Sequence, residues 1–143
     1  MKILVDADAC PVKDIILSIG KKLNLRIIMF IDTSHMYCDG YSEVITVDTA
    51  RDSVDFALAN KVEPGDIVIT QDYGVAAMTL AKRGLALNQN GLIYSDNNMN
   101  RLLLERHLSQ KIRRSGGKTS NQKKRNKEND IAFERSFLNL CNS

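Results

Sequence analysis

The chain has 143 residues, 43% of them hydrophobic, which is enough for one domain with one core. Its three cysteines are odd in number, lie far apart and form no Cys-x-x-Cys pair, which argues against a disulfide framework or a structural zinc site. The net charge of +3 conceals an asymmetry: residues 1–100 carry nine Lys/Arg against thirteen Asp/Glu, and residues 101–143 carry eleven against four.

An acidic body of net −4 followed by a basic segment of net +7 suits a metal site beside a phosphate-binding surface. A solvated basic tail is the plainer reading of the same charges. Asp6 ends the first apolar run after three residues, and the run at 25–31 is interrupted by Arg26. Neither a secretory signal nor a membrane span is therefore expected, and a cytoplasmic protein is.

In chain order, residues 2–5 read as a strand that stops at Asp6-Ala7-Asp8. Pro11 suits the first turn of a helix, where its missing N–H has no partner to lose, and Val12, Ile15, Ile16, Ile19 and Leu23 follow at helical spacing. Residues 25–31 predict a strand buried on both faces, and residues 44–47 a shorter one. A helix is expected over about 51–61, with Val54, Leu58 and Val62 on its apolar side. Glu63-Pro64-Gly65-Asp66 is a turn, followed by a strand at 67–70 and a helix that Gly84 ends.

Residues 85–87 and 92–94 read as short strands around Asn88-Gln89-Asn90-Gly91. Asp96 or Asn97 can cap a helix to about Arg113, with Met99, Leu102, Leu103 and Ile112 apolar. From about 115 to 128 no apolar residue offsets the entropy of ordering, so a flexible basic segment is expected. Ile131, Phe133, Phe137, Leu138 and Leu140 then predict a docked last helix over about 129–141. Alternating strands and helices imply a single α/β domain, a mostly parallel central sheet with helices on both faces.

In such a sheet ligands bind beyond the C-terminal strand ends. Two strands end in aspartate there, one before Asp6 and Asp8, the other before Asp72. Carboxylates gathered at one edge repel unless a cation or proton intervenes, and an all-carboxylate set favours Mg²⁺ or Mn²⁺ over zinc. Asp66 precedes its strand, about 15 Å from Asp72, and reads as a turn residue outside the site. Asp55, within a helix, is either a further site acid or a solvent-facing carboxylate paired with Arg51. Among weaker candidates, Cys10 has no histidine near it in sequence, Lys13 can reach a phosphate or stay solvated, and Tyr37 and Tyr41 can stack on a base or anchor their loop.

The segments Val5-Asp6-Ala7-Asp8-Ala9-Cys10-Pro11-Val12-Lys13 and Gly65-Asp66-Ile67-Val68-Ile69-Thr70-Gln71-Asp72 resemble the two signatures of the YaiI/YqxD family of uncharacterised bacterial proteins. The likeness continues through Arg106, Arg113, Gly116-Gly117-Lys118-Thr119 and Asp130-x-x-Phe133; Ser120-Asn121 departs from it, standing where the family usually has Gly-Pro. That family in turn resembles PIN-like domains, whose nucleases cluster acids around Mg²⁺ or Mn²⁺. The resemblance implies a PIN-like three-layer sandwich with Asp6, Asp55 and Asp72 as metal ligands. The usual glutamate on an intervening helix has no obvious counterpart, and Asp8 is our substitute for it.

The function so implied is a metal-dependent nuclease acting on RNA in preference to DNA. Asp6, Asp8, Asp55 and Asp72 would be catalytic, and Lys13, Thr70, Arg106, Arg113 and Lys118 would hold substrate. One alternative is a non-catalytic, metal-stabilised RNA- or nucleotide-binding module. A phosphatase of the haloacid-dehalogenase-like kind, suggested by Asp-x-Asp after the first strand, is the weaker enzyme reading because Asp66 falls at the wrong strand end.

Overall fold

A computed structural model describes residues 1–8, 10–33, 36–48, 53–116 and 124–143. Five strands, β1 (Lys2–Asp6), β2 (Arg26–Asp32), β3 (Glu43–Val47), β4 (Ile67–Ile69) and β5 (Leu85–Leu87), form one sheet in the order β3-β2-β1-β4-β5. Every ladder in it is parallel, which sharpens the expected mostly parallel sheet. Five helices accompany it: α1 (Lys13–Lys22), α2 (Val54–Lys61), α3 (Tyr73–Ala81), α4 (Asp96–Arg114) and α5 (Lys127–Cys141).

The strands are apolar on both faces because both are covered. Ile3 and Val5 of β1 pack with Ile27, Met29 and Ile31 of β2 on one face, against Ile16 and Ile19 of α1 and Phe133 and Phe137 of α5. Leu4, Ile28, Phe30 and Val68 point the other way, onto Leu58 of α2 and Val75 of α3. Ala86 of β5 extends that second layer towards Met99 and Leu102 of α4. The result is a three-layer α/β sandwich, as expected of a PIN-like fold.

The α1 crossover carries the chain from β1 to β2 and the α2 crossover carries it back from β3 to β4, so right-handed connections put these helices on opposite faces. The last helix is held by Phe133 and Phe137, whose rings stack at 5.5 Å and are fully buried. Each contributes roughly 2–3 kcal/mol by burial. Among the described residues no helix is long and apolar enough to cross a membrane.

Several boundaries differ from the sequence reading, each for a local reason. Pro11 lies in the turn before α1, not within it, and Val12 is the N-cap. Ser95, rather than Asp96 or Asn97, caps α4: its hydroxyl accepts from Asn98 N while Asn98 returns a bond to Ser95 N, a reciprocal box. Beyond α3 the left-handed residue is Arg83, with φ 63°, and Gly84 is required instead for closeness, since a Cβ there would stand 2.7 Å from Thr79 Cγ2. Residues 92–94 make only an antiparallel bridge, Leu87 to Ile93, not a strand.

Leu103 and Ile112 of α4 are exposed, because from residue 103 to residue 114 only Ser109 is even half-buried. Ile131 is likewise exposed on α5. Of the segment expected to be flexible, residues 117–123 lie outside the described residues; α5 already begins at Lys127, and Arg125 is firmly engaged. Its guanidinium donates to Asp130, to Asn90 Oδ1 and to the Gln89 carbonyl, so polar bonds supply what apolar burial does not.

Candidate active site

The sheet order sets the site. From β1 the chain proceeds outward to β2 and β3, then returns to place β4 on the other side of β1. Between β1 and β4 the loops leave in opposite directions, opening a crevice at the C-terminal strand ends. Asp6 is the last residue of β1 and Thr70-Gln71-Asp72 follows β4, so both sequence signatures meet in that crevice. A cleft of about 430 Å³ there is lined by Asp6, Asp8, Gln71, Asp72, Tyr73 and Arg106.

Each acid is held differently. Asp6 Oδ2 accepts from Thr70 Oγ1 at 3.2 Å. Asp8 Oδ2 accepts from the backbone of Asp32, at the end of β2, at 3.1 Å. Asp72 is the N-cap of α3, its Oδ1 accepting from Gly74 N at 2.7 Å and Val75 N at 3.1 Å. Asp55 enters from the first turn of α2, beside Asp72. Its proposed partner Arg51 lies outside the described residues.

The charges feel one another. Asp6 is pushed up to about 6, first by burial and then by the neighbouring Asp55, Asp72 and Asp8 carboxylates, with the Thr70 hydroxyl opposing. Asp55 is raised by burial and by Asp72. Among the described residues no three acidic, histidine or cysteine side chains stand close enough to cage a metal ion. Four acids therefore share a neighbourhood, but not a finished coordination shell.

Arg106 is the cation at this cleft, its guanidinium 5.8 Å from the centre of the Tyr73 ring. Tyr73 in turn meets Tyr94 edge to face at 6.1 Å, and the Tyr94 hydroxyl donates to the Thr70 carbonyl at 3.2 Å. Sequence reasoning missed Gln71 and Tyr73. Their signal was position alone, one residue either side of Asp72, between a strand end and the first turn of the next helix.

The other expected residues divide. Thr70 is not open to substrate: it is 2% exposed, and its hydroxyl is spent between Asp6 and the Asp72 N–H, at 3.0 Å from the latter. It positions the acids. Lys13 lies over the Tyr37 ring at 4.9 Å and does not line the cleft. Arg113 follows Arg106 by two turns on the same side of α4, about 10 Å along the axis, also outside the cleft. Lys118 lies outside the described residues.

Asp66 sits at the opposite end of the sheet, accepting from Lys2 Nζ at 2.6 Å and from the backbone of Lys2 and Glu63. Tyr37 and Tyr41 anchor their loop, donating to Asp39 at 2.5 Å and to the Leu25 carbonyl at 2.6 Å. Burial raises the Cys10 thiol, which removes its appeal as a nucleophile.

Comparison with known proteins agrees with the two signatures. Residues 4–143 match the family model described as uncharacterised BCR, YaiI/YqxD family. A UPF0178 protein of Ruminiclostridium cellulolyticum is 67% identical over 138 residues, covering 96% of this chain and 90% of the relative. Others from Alkaliphilus oremlandii (54% identical; 96% of this chain, 89% of the relative) and Lachnoclostridium phytofermentans (51%; 100% and 98%) are similar over nearly their whole lengths. No solved structure matches significantly. A family match running through both aspartate signatures, Arg106 and the Asp130-x-x-Phe133 close leaves one conclusion: this chain belongs to the YaiI/YqxD family.

Proposed function

We propose that the chain is a divalent-metal-dependent phosphodiesterase acting on RNA. The observation that carries the reading is the convergence of Asp6, Asp8, Asp55 and Asp72 from three separate stretches of sequence, with Asp6 raised to about 6. Burying and crowding acids costs stability, and sites where that cost is retained are disproportionately functional. All-oxygen donors fit Mg²⁺ or Mn²⁺ in kind. A cation bound among them would offset their mutual repulsion.

When bound, such an ion offsets charge on a phosphodiester and lowers the pKa of a water. The chain's own residues do the rest. Asp6, Asp55 and Asp72 are the ligands of choice, since each loses repulsion on binding a cation. Asp8, tethered to the backbone of β2, is suited to orient a water. Arg106, which lines the cleft with the Tyr73 ring beside its guanidinium, would hold a phosphate oxygen.

The rival is a binding module without turnover, favoured by the absence of a ready-made metal cage among the described residues. A phosphatase with a late acid at Asp66 is disfavoured by that residue's bonds to Lys2 at the opposite sheet end. Calorimetric titration with Mn²⁺, paired with cleavage of labelled single-stranded RNA, separates the first two. Unaltered protein is expected to bind and cleave; Asp6→Asn and Asp72→Asn lose both while keeping RNA affinity. Mn²⁺ binding without cleavage leaves the module, and no binding at millimolar Mn²⁺ with the fold intact removes the metal.

A further inference from the structure

A second cleft adjoins the acidic one, and the two share Gln71. It has a volume of about 790 Å³, ample for a phosphate with its sugar, and lies between the loop after β5 and the start of α5. Arg125 acts there as a strut, donating to Asn90 and the Gln89 carbonyl on one side and to Asp130 on the other.

Three asparagines line this cleft, and their hydrogen bonds fix which end of each amide is which. Asn90 Oδ1 accepts from Arg125 Nη1 at 2.8 Å. Asn126 Oδ1 accepts from Asn129 N at 3.2 Å, and Asn129 Oδ1 accepts from Asn126 N at 3.0 Å, in the capping box of α5. A guanidinium and a backbone N–H can only donate, so the atoms that face them must be the amide oxygens. What each amide has left to offer a ligand is its NH₂. Lys124, also in the lining, adds an ammonium that only donates.

A wall of donors calls for a ligand made of acceptors. Phosphate oxygens only accept, and they recur identically at every nucleotide of a strand. A base edge mixes donors with acceptors, and the oxygens that would serve its donors are already taken in Asn90, Asn126 and Asn129. Glu128 in the same lining offsets the charge of Lys124, so the hold comes from hydrogen bonds to an anion more than from net charge.

Resting on the phosphodiesterase reading above, we infer that this donor-lined cleft seats the phosphate of the nucleotide next to the scissile one, and so sets the register of the strand without reading its bases. Unlike the acidic cleft, it needs no cation to accept an anion. The metal-free protein, ¹⁵N-labelled, is titrated with inorganic phosphate, and separately with uridine and adenosine, while the side-chain amide signals of Asn90, Asn126 and Asn129 are followed. Phosphate is expected to shift them, and neither nucleoside to do so at the same concentration. Asn90→Asp, at an exposed position, is the deciding variant: it keeps an oxygen for Arg125 and turns the NH₂ into an acceptor. The fold should stay intact and phosphate affinity should fall about tenfold or more. Lys124→Gln, which touches neither strut nor capping box, should weaken it about threefold.

No shift with phosphate, an equal response to the nucleosides, or an affinity that survives Asn90→Asp overturns the inference. RNA cleavage with Mn²⁺ is assayed separately. Cleavage without phosphate binding at these amides removes the cleft assignment alone, and phosphate binding without cleavage upholds it while removing the nuclease.

Discussion

Asp6 shows how one residue carries opposed demands. Its carboxyl is raised from 3.8 to about 6 on folding, so the folded state holds its proton more tightly than the unfolded chain. The resulting penalty is absent below about pH 3.8, grows as pH rises, and is complete above about pH 6. Asp6→Asn is therefore expected to raise stability at pH 7–8 by about 1–2 kcal/mol, seen as a higher Tm, while abolishing Mn²⁺ binding. An Asn variant with a lower Tm at pH 8 would count against a penalty from burying and crowding the ionised carboxylate. Because protons and cation compete for the same oxygens, Mn²⁺ affinity should rise through pH 6 and binding should release protons, measured by calorimetry in buffers of different ionisation heat.

Thr70 is the counterpart that holds this arrangement. Its hydroxyl donates to Asp6 and accepts from the Asp72 N–H within a buried site. Thr70→Val keeps the shape and removes both bonds, so a loss of about 1–3 kcal/mol by chemical denaturation is expected. The pH midpoint for Mn²⁺ binding should move upward, since the bond that favours ionised Asp6 is gone. A purely structural threonine would lower stability and leave that midpoint in place.

At the scale of elements, the docking of α5 depends on a glycine outside it. Gly91 has φ +87°, and a Cβ there would stand 2.6 Å from the Ala132 carbonyl of α5. Gly65 has a similar φ of +86° but open space around it. Gly65→Ala should thus cost only backbone strain, about 1 kcal/mol, whereas Gly91→Ala adds a collision and should cost about 3 kcal/mol. Equal effects in denaturant titration would show that the close approach to α5 is not what Gly91 serves. Ser136 of α5 adds to the same approach, donating to the Gly91 carbonyl at 2.7 Å.

For the whole molecule, the basic C-terminal third and the acidic body are brought together by α4, which carries Arg106 to the acidic cleft and Arg113 two turns beyond it. If both contact the backbone of a single-stranded RNA, affinity should fall with salt, and each Arg→Ala change should reduce the slope of log K against log salt by about 0.7. Arg106→Ala is expected to lower cleavage as well, and Arg113→Ala only affinity.

The sequence by itself determined the layers and the strand ends. Runs such as Ile67-Val68-Ile69 are apolar on both faces, which only a covered parallel sheet explains, and Asp6 and Asp72 follow strands directly, so their sheet edge was legible from order alone. Periodicity also picked out Phe133 and Phe137 as the anchors of the last helix. Tertiary structure alone brings Asp55 beside Asp72, because the β3-to-β4 crossover places the start of α2 there. It likewise decided that Thr70 is a buried strut, that Leu103 and Ile112 stay exposed, and that Arg125 ties the loop after β5 to the start of α5. Local pattern records which way a side chain faces along its own element; what it meets there depends on neighbours tens of residues away, and only packing brings those into contact.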